Sequence, residues 1–336
     1  MSSLPGTFRA FVAETVDGAH RRGIRDFAAA DLGPGEVDIR VEWSSVNFKD
    51  GLASIPNGRV ARIDPIIPGI DLAGVVIGSG DPTVEEGSEV LVNGYDLGTS
   101  HHGGYAEFAR VPAGWVVPLP AGLSLREAAA VGTAGFTAAM AVATLEGRGL
   151  QPGDGPVLVT GASGGVGSTA VALLGDRGYE VWALTGKASE HDRLRSLGAV
   201  GFLDRADAPI EGKPLESERW AGAVDSAGAA TLPYVLRTLR RGAAVAACGN
   251  ASGPALVTTV FPFILRGVAL LGMDSVAMPL PERIDLWNRI ATDLRPRSLG
   301  EGLTEVALDD VTPALDAIVA GEARGRWVVR VAGRAG

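Results

Sequence analysis

The stretch Val157-Leu158-Val159-Thr160-Gly161-Ala162-Ser163-Gly164-Gly165-Val166-Gly167 decides how the rest of this sequence is read. An apolar run without polar alternation predicts a buried parallel strand, and the residues from Gly164 to Leu174 predict a helix. Between them the spacing is A-x-G-x-x-G from Ala162, overlapped by Gly161-x-x-Gly164-x-x-Gly167. Such a turn lets the backbone approach a pyrophosphate with no Cβ in the way. The helix start then offers unpaired N–H groups and the positive end of its dipole. A glycine pattern alone is weak evidence. Its place between an apolar strand and an apolar helix is the context that a dinucleotide site requires.

The next strand, Glu180 to Leu184, distinguishes one dinucleotide from another, because it ends in Thr185-Gly186-Lys187. Binders of NAD place Asp or Glu about 20 residues past the fingerprint, against the ribose 2′-hydroxyl. Here a hydroxyl, a glycine and a cation stand in that place, and no carboxylate repels a 2′-phosphate. Arg205, after Gly201-Phe202-Leu203-Asp204, is a second cation for it, with a solvated loop charge as the other account. The sequence predicts NADPH as the cofactor.

Strand–helix alternation continues on both sides. Ser124 to Glu146 reads as a long helical region opened by a Ser124–Glu127 capping box. Downstream come a helix over Glu190 to Leu197 and apolar strands at Gly222 to Asp225, Ala243 to Ala247 and Ala269 to Leu271. A helix from Pro281 to about Leu294, a strand Leu303 to Ala307, a helix Thr312 to Ala320 and a strand Trp327 to Val331 finish the chain. Apolar strands spaced by helices predict a doubly wound parallel sheet covered on both faces. Residues 7 to 120 differ in texture: short strands such as Phe8 to Glu14 and the alternating Glu36 to Trp43 are broken by Gly33-Pro34-Gly35, Pro68-Gly69 and Glu86-Gly87. They predict a small barrel-like β domain. The fold class is α/β.

The 336 residues are 46% hydrophobic and 21% charged, enough to bury sizeable cores, and the length suggests about two domains. The 47 glycines are near double the about 24 that average usage gives. No Gly-X-Y period accompanies them, so collagen is excluded, and with only 20 prolines so is low-complexity disorder. One cysteine excludes an intrachain disulfide and a Cys-pair zinc site. A net charge of −9 argues against nucleic acid and anionic membrane as partners. Met1 to Glu14 lacks the basic start and apolar run of a signal peptide, and the longest apolar stretch, Ala255 to Met278, is interrupted by Pro262, Arg266, Gly267 and Asp274. A cytoplasmic protein is expected.

Longer runs carry a family signal. They are Trp43-Ser44-Ser45-Val46-Asn47-Phe48-Lys49-Asp50, Pro68-Gly69-Ile70-Asp71-Leu72-Ala73-Gly74, Gly132-Thr133-Ala134-Gly135-Phe136-Thr137-Ala138 and the fingerprint itself. Trp220 to Asp225, Phe261 to Arg266 and Met273 to Val276 extend them, so that they span nearly the whole chain. The sequence resembles the zinc-independent, quinone-oxidoreductase-like medium-chain dehydrogenase/reductases, and among them the NADPH-dependent acryloyl-CoA reductase branch. The resemblance implies a GroES-like catalytic domain over 1–125, completed by 280–336, and a Rossmann NADP(H)-binding domain over 126–279, with the cofactor in the cleft between. It implies that Ser163, Gly164, Gly165 and Val166 meet the pyrophosphate, and that Thr185, Gly186, Lys187 and Arg205 meet the 2′-phosphate end. Asn250, Ile264 and Ser275 would line the nicotinamide side. Thr133 would approach it from a break in the long helix, with packing of small residues as the other account. Asn47 and Asp50 would shape the substrate side, and the sheet edge at 269–272 would pair two copies into a homodimer.

Two positions depart from the pattern. Phe48 stands where a tyrosine is expected beside the cofactor, which removes a phenolic O–H. Lys187 stands where an arginine is expected, a point cation in place of a fork. Cys248 reads as a packed thiol, Asp225 as a residue organising the loop after its strand, and the adjacent His101 and His102 as pointing opposite ways. No metal site is predicted, which leaves no Lewis acid for alcohol oxidation and favours conjugate reduction. The expected reaction is NADPH-dependent reduction of an activated C=C bond, acrylyl-CoA or a related enoyl thioester, by hydride transfer to the β-carbon with the enolate oxygen held by donors. Arg59 and Arg62 are candidates for CoA phosphates, against scattered surface charge. Two alternatives are a quinone or enone reductase and a non-catalytic NADPH-binding regulatory protein. No catalytic acid is assigned; Asn47, Lys49 and Asp50 are the candidates.

Overall fold

A computed structural model describes residues 4–229 and 231–331. The chain divides into a first unit of residues 1–133, 276–292 and 299–336 and a second of 134–275 and 293–298.

The first unit begins with β1 (Thr7–Val16) and β2 (Ala19–Ala28), an antiparallel hairpin. Asp17 and Gly18 close it, both at positive φ (52° and 76°), the twist that suits a two-residue hairpin turn. The sequence signals β1 but not β2, because His20-Arg21-Arg22-Gly23-Ile24-Arg25 carries no apolar alternation. Then follow β3 (Val37–Ser45), the short helix α1 (Phe48–Ala53), β4 (Asp71–Ser79), β5 (Glu89–Asn93), β6 (Phe108–Val111) and β7 (Val117–Pro118). Helix α2 (Leu125–Gly147) runs from this unit into the next, broken at Gly132. At its start Ser124 N–H donates to Glu127 Oε2 and Glu127 N–H returns the bond to Ser124 Oγ, the expected capping box. Of the described helices it alone is long and apolar enough to cross a membrane, and 78% of its most apolar window is buried.

The second unit holds β8 (Val157–Thr160), α3 (Gly165–Asp176), β9 (Val181–Leu184), α4 (His191–Ser196), β10 (Ala199–Leu203), β11 (Trp220–Asp225), α5 (Leu232–Thr238), β12 (Leu239–Ala247), α6 (Phe261–Arg266) and β13 (Ala269–Gly272). Its six strands are all parallel, in the order β10-β9-β8-β11-β12-β13. That order reverses between β8 and β11, where a Rossmann sheet binds its ligand. Leu158, Leu184, Trp220, Val235 and Val245 fill its core, and the Arg219 guanidinium lies between the Trp182 and Trp220 rings, 5.0 and 4.3 Å from their centroids.

The chain then returns to the first unit with α7 (Leu280–Ala291), β14 (Thr304–Ala307), α8 (Val311–Val319) and β15 (Trp327–Arg330). Strands β14-β15-β3-β4-β5-β7 form one sheet, with β6 also paired to β3. Its inner face packs Phe11, Ile39, Val41, Leu72, Val92 and Tyr105 with Leu315 of α8. This mixed, mostly antiparallel sheet is the β-rich domain that the turn-broken texture predicts.

Candidate functional site

In the second unit the fingerprint turn lies at the switch point. Gly161 has φ +58°, and a Cβ there would fall 2.4 Å from Ser226 Oγ. At Gly167 a Cβ would fall 2.3 Å from the Gly161 carbonyl oxygen, so this glycine admits the helix to the strand. Gly164 is different: a Cβ would meet only the Gly161 oxygen, at 3.4 Å, leaving room beside the first turn of α3. The first N–H groups of that 12-residue helix have no intrahelical partner. Asp225 pins the other side of the switch point. Its carboxylate accepts from Thr160 Oγ1 (2.6 Å), Gly228 N–H (2.9 Å) and Thr231 Oγ1 (3.0 Å). Burial raises its pKa against those bonds, and it organises the loop as its strand-end position predicts.

The candidates for the 2′-phosphate converge beside this turn. Thr185 Oγ1 donates to Ser163 Oγ at 3.2 Å, and Lys187 N–H donates to Thr185 Oγ1 at 3.2 Å. Arg205 lies over Gly186, where a Cβ would sit 2.9 Å from its Nε. Ser163, Thr185, Gly186, Lys187 and Arg205 thus lie together at the end of β9, Lys187 joined through its backbone N–H, and none of the five is a carboxylate. Ser275 is also organised, accepting from Thr137 Oγ1 at 2.8 Å, a partner that the sequence does not signal. Asn250, after β12, and Ile264, on α6, are exposed side chains on separate elements.

The first unit contains a buried polar cluster. Asp71, at the head of β4, accepts at Oδ2 from Ser45 Oγ and from Asn47 Nδ2 (2.8 Å), and at Oδ1 from both the N–H (2.8 Å) and the Oγ1 (2.6 Å) of Thr133. Asp50 accepts at Oδ2 from Asn47 N–H and Nδ2, and at Oδ1 from the N–H groups of Gly69 and Ile70. Burial, then the neighbouring Asp71, nevertheless pushes the Asp50 carboxyl up to about 7. Arg326 supplies the cation. Its Nε donates to the Ala130 carbonyl at 2.8 Å, and Nη1 donates to Asn47 Oδ1 at 3.2 Å. Tyr105, fully buried, donates to the Ser45 carbonyl oxygen at 2.9 Å. Burial lowers the Arg326 pKa and raises that of Tyr105.

Of the three catalytic candidates, Asn47 and Asp50 therefore spend their hydrogen bonds inside this unit, where they also form the capping box of α1. Lys49 is half-buried and Phe48 is 47% exposed at the first position of that helix. Asp71, Ser45, Tyr105 and Arg326 are the members that sequence reading missed. A carboxylate inside the apolar run Ile70-Asp71-Leu72-Ala73 is the one signal that could have found them.

The remaining candidates are structural. His101 and His102 are buried: the ring nitrogens of His101 lie 3.1 and 3.0 Å from the His102 and Pro34 carbonyl oxygens, and His102 Nδ1 accepts from Ile67 N–H. Cys248 donates to the Asp225 carbonyl, and burial pushes its thiol up to about 12. Arg59 and Arg62 are exposed. Among the described residues no cluster of three His, Cys, Asp or Glu could hold a metal ion.

Comparison with known proteins gives this geometry a family. Residues 33–121 match the alcohol dehydrogenase GroES-like domain. The acrylyl-CoA reductase AcuI of Ruegeria pomeroyi is 49% identical over 316 residues, 94% of this chain and 96% of that protein. The chain belongs to the quinone-oxidoreductase-like medium-chain dehydrogenase/reductases, the family of the acrylyl-CoA reductases. Two solved relatives have the same fold. The yhdH oxidoreductase of Salmonella enterica, in complex with NADP, is 47% identical with a TM-score of 0.94, covering 96% of this chain and all of that one. The yhfP protein of Bacillus subtilis, with NAD bound, is 43% identical with a TM-score of 0.94, covering 97% and 100%. The reductase resemblance and the pairing of a GroES-like domain with a Rossmann sheet, both predicted from the sequence, hold.

Proposed function

We propose that this chain is an NADPH-dependent reductase of an activated carbon–carbon double bond, with acrylyl-CoA or a related enoyl thioester as substrate. The observation that carries the reading is the carboxylate-free loop of Thr185, Gly186, Lys187 and Arg205 against the fingerprint turn, in a chain half-identical to an acrylyl-CoA reductase. The residues fit NADPH: Gly164 leaves room for a pyrophosphate at the start of α3, and Lys187 and Arg205 would attend the 2′-phosphate. When bound, NADPH supplies the hydride for the β-carbon.

The chain's own part is binding and orientation. Ser163, Gly164, Gly165 and Val166 would hold the pyrophosphate, Thr185, Gly186, Lys187 and Arg205 the 2′-phosphate, and Thr133, Asn250, Ile264 and Ser275 the nicotinamide end. This assigns 126–279 to NADP(H) and 1–125 with 280–336 to the substrate. Thr133 is held through Asp71, so its backbone is fixed without a ligand. Phe48 offers no proton, and no residue is assigned as the acid. We read the protein as a cytoplasmic homodimer; the exposed edge strand β13 supports the pairing.

A quinone or enone reductase is the second reading, because the Bacillus subtilis relative carries a quinone oxidoreductase name. NADPH consumption with acrylyl-CoA, a benzoquinone and a simple enone separates the two. Turnover of the thioester at an efficiency at least tenfold above the others is expected; turnover of quinone alone overturns the thioester reading. Tight NADPH binding with no turnover of any of the three would instead support a regulatory role.

A further inference from the structure

The turn that carries Ser163 and the loop that carries Lys187 share a side chain belonging to neither motif. Arg193, on α4, donates from Nε to Glu190 Oε2 at 2.7 Å and from Nη2 to the Ser163 carbonyl oxygen at 3.1 Å. Glu190 has only 3% of its side chain exposed, and its N–H donates to the Lys187 carbonyl oxygen at 3.0 Å. The peptide between Ser163 and Gly164 is thereby fixed at both ends, since Gly164 N–H donates to the Gly161 carbonyl oxygen at 3.0 Å. A peptide plane with its oxygen and its N–H both held cannot rotate, so the N–H groups that follow keep their direction. The same guanidinium, through Glu190, fixes where the Lys187 segment ends. α4 is itself anchored: the His191 ring stacks on Phe202 of β10 at 4.1 Å.

We propose that Arg193 is a positioning residue that locks the pyrophosphate turn to the 2′-phosphate loop, so that the affinities for NADPH and NADH both depend on it. This rests on the NADP(H) reading. The pyrophosphate is common to both nucleotides, and a loosened turn must weaken both. Arg205, by contrast, bears only on the 2′-phosphate, which NADH lacks.

Fluorescence titration with NADPH and with NADH tests this on wild type, Arg193→Gln, Glu190→Gln and Arg205→Gln, with thermal unfolding measured alongside. Losing a charge-assisted bond to the turn predicts that Arg193→Gln weakens NADH by about tenfold and NADPH by at least as much, since the 2′-phosphate loop loses its anchor too, with kcat at saturating NADPH unchanged. Arg205→Gln weakens NADPH alone. If Arg193→Gln weakens only NADPH, the residue is a phosphate ligand and the lock is wrong; no change in either nucleotide also overturns it. Should Arg193→Gln fail to fold, Glu190→Gln decides, with a smaller loss on both nucleotides expected and no loss refuting the lock. A wild-type protein that binds neither nucleotide defeats the NADP(H) reading itself, an outcome distinct from loss confined to NADPH.

Discussion

Asp50 shows how one buried carboxyl links the candidate site to stability. Four N–H groups point at it, which alone would favour the anion. Burial and the nearby Asp71 outweigh them and raise its pKa from 3.8 to about 7. Folding therefore takes up a proton that the unfolded chain releases. The contribution is fully present below about pH 4 and is lost as pH rises through 7, a change of about 4 kcal/mol. Asn at this position cannot titrate. Denaturant unfolding should show Asp50→Asn gaining stability relative to wild type between pH 5 and 8, and parallel profiles would refute this. His102 acts in the opposite sense, because burial lowers its pKa from 6.5 to about 4 and stability falls as pH drops between those values. The two windows overlap, so the difference between variant and wild type, not the wild-type curve, isolates Asp50.

Helix α2 is an element built around a defect. At Gly132 the backbone takes φ 47° and ψ −163°, outside helical space. Both free helix ends at the break are answered: Arg326 donates to the Ala129 and Ala130 carbonyls, and Asp71 accepts the N–H of Thr133. A cation at a helix C-terminus and an anion at an N-terminus complement the two dipoles. A Cβ at Gly132 would fall 2.5 Å from Asp71 Oδ2 and 2.7 Å from Arg326 Nη2. Gly132→Ala should cost at least about 3 kcal/mol, from backbone strain and from displacing the buried Asp71 carboxylate and Arg326 guanidinium off their hydrogen bonds, measured by urea unfolding. A cost below about 1 kcal/mol would mean that Asp71 and Arg326 do not hold the break. This element marks where sequence reading stops. The Gly132-Thr133-Ala134-Gly135 break and the fingerprint are local patterns and were legible, as were the parallel strands from their unalternating apolar runs. The cluster was not, since Asn47 and Arg326 lie 279 residues apart and share no periodicity. β2 was hidden for another reason: it buries little, so it needs few apolar residues, and only the Asp17-Gly18 turn announces it.

At the scale of the whole molecule, the second unit leaves the β13 edge of its sheet flanked by exposed apolar side chains. β13 is one of the two edge strands, paired to β12 alone, and its Leu270 is 36% exposed. Around the adjoining α6 lie Val257, Val260, Phe261, Ile264 and Leu265, all exposed, with Ile264 at 67%. A bare parallel-sheet edge flanked by apolar side chains is the kind of surface that soluble chains cover, because its N–H and C=O groups template another strand. A second copy of this chain presents the same edge, and a two-fold pairing of β13 with itself closes the assembly without leaving a further free edge there. Gel filtration should therefore place wild type at twice the 34.5 kDa chain mass. The double variant Leu270→Asp/Leu265→Glu sets like charges across the two-fold and buries them unpaired, which costs several kcal/mol. It should elute as a monomer with its circular dichroism unchanged. A monomeric wild type would refute the pairing, and so would a double variant that remains dimeric, since the contact would then lie elsewhere. Because the fingerprint turn and the Thr185–Lys187 loop belong to one unit of one chain, the monomeric variant should still bind NADPH with wild-type affinity. Loss of binding together with dimerisation would mean that the edge supports the nucleotide site as well as the pairing.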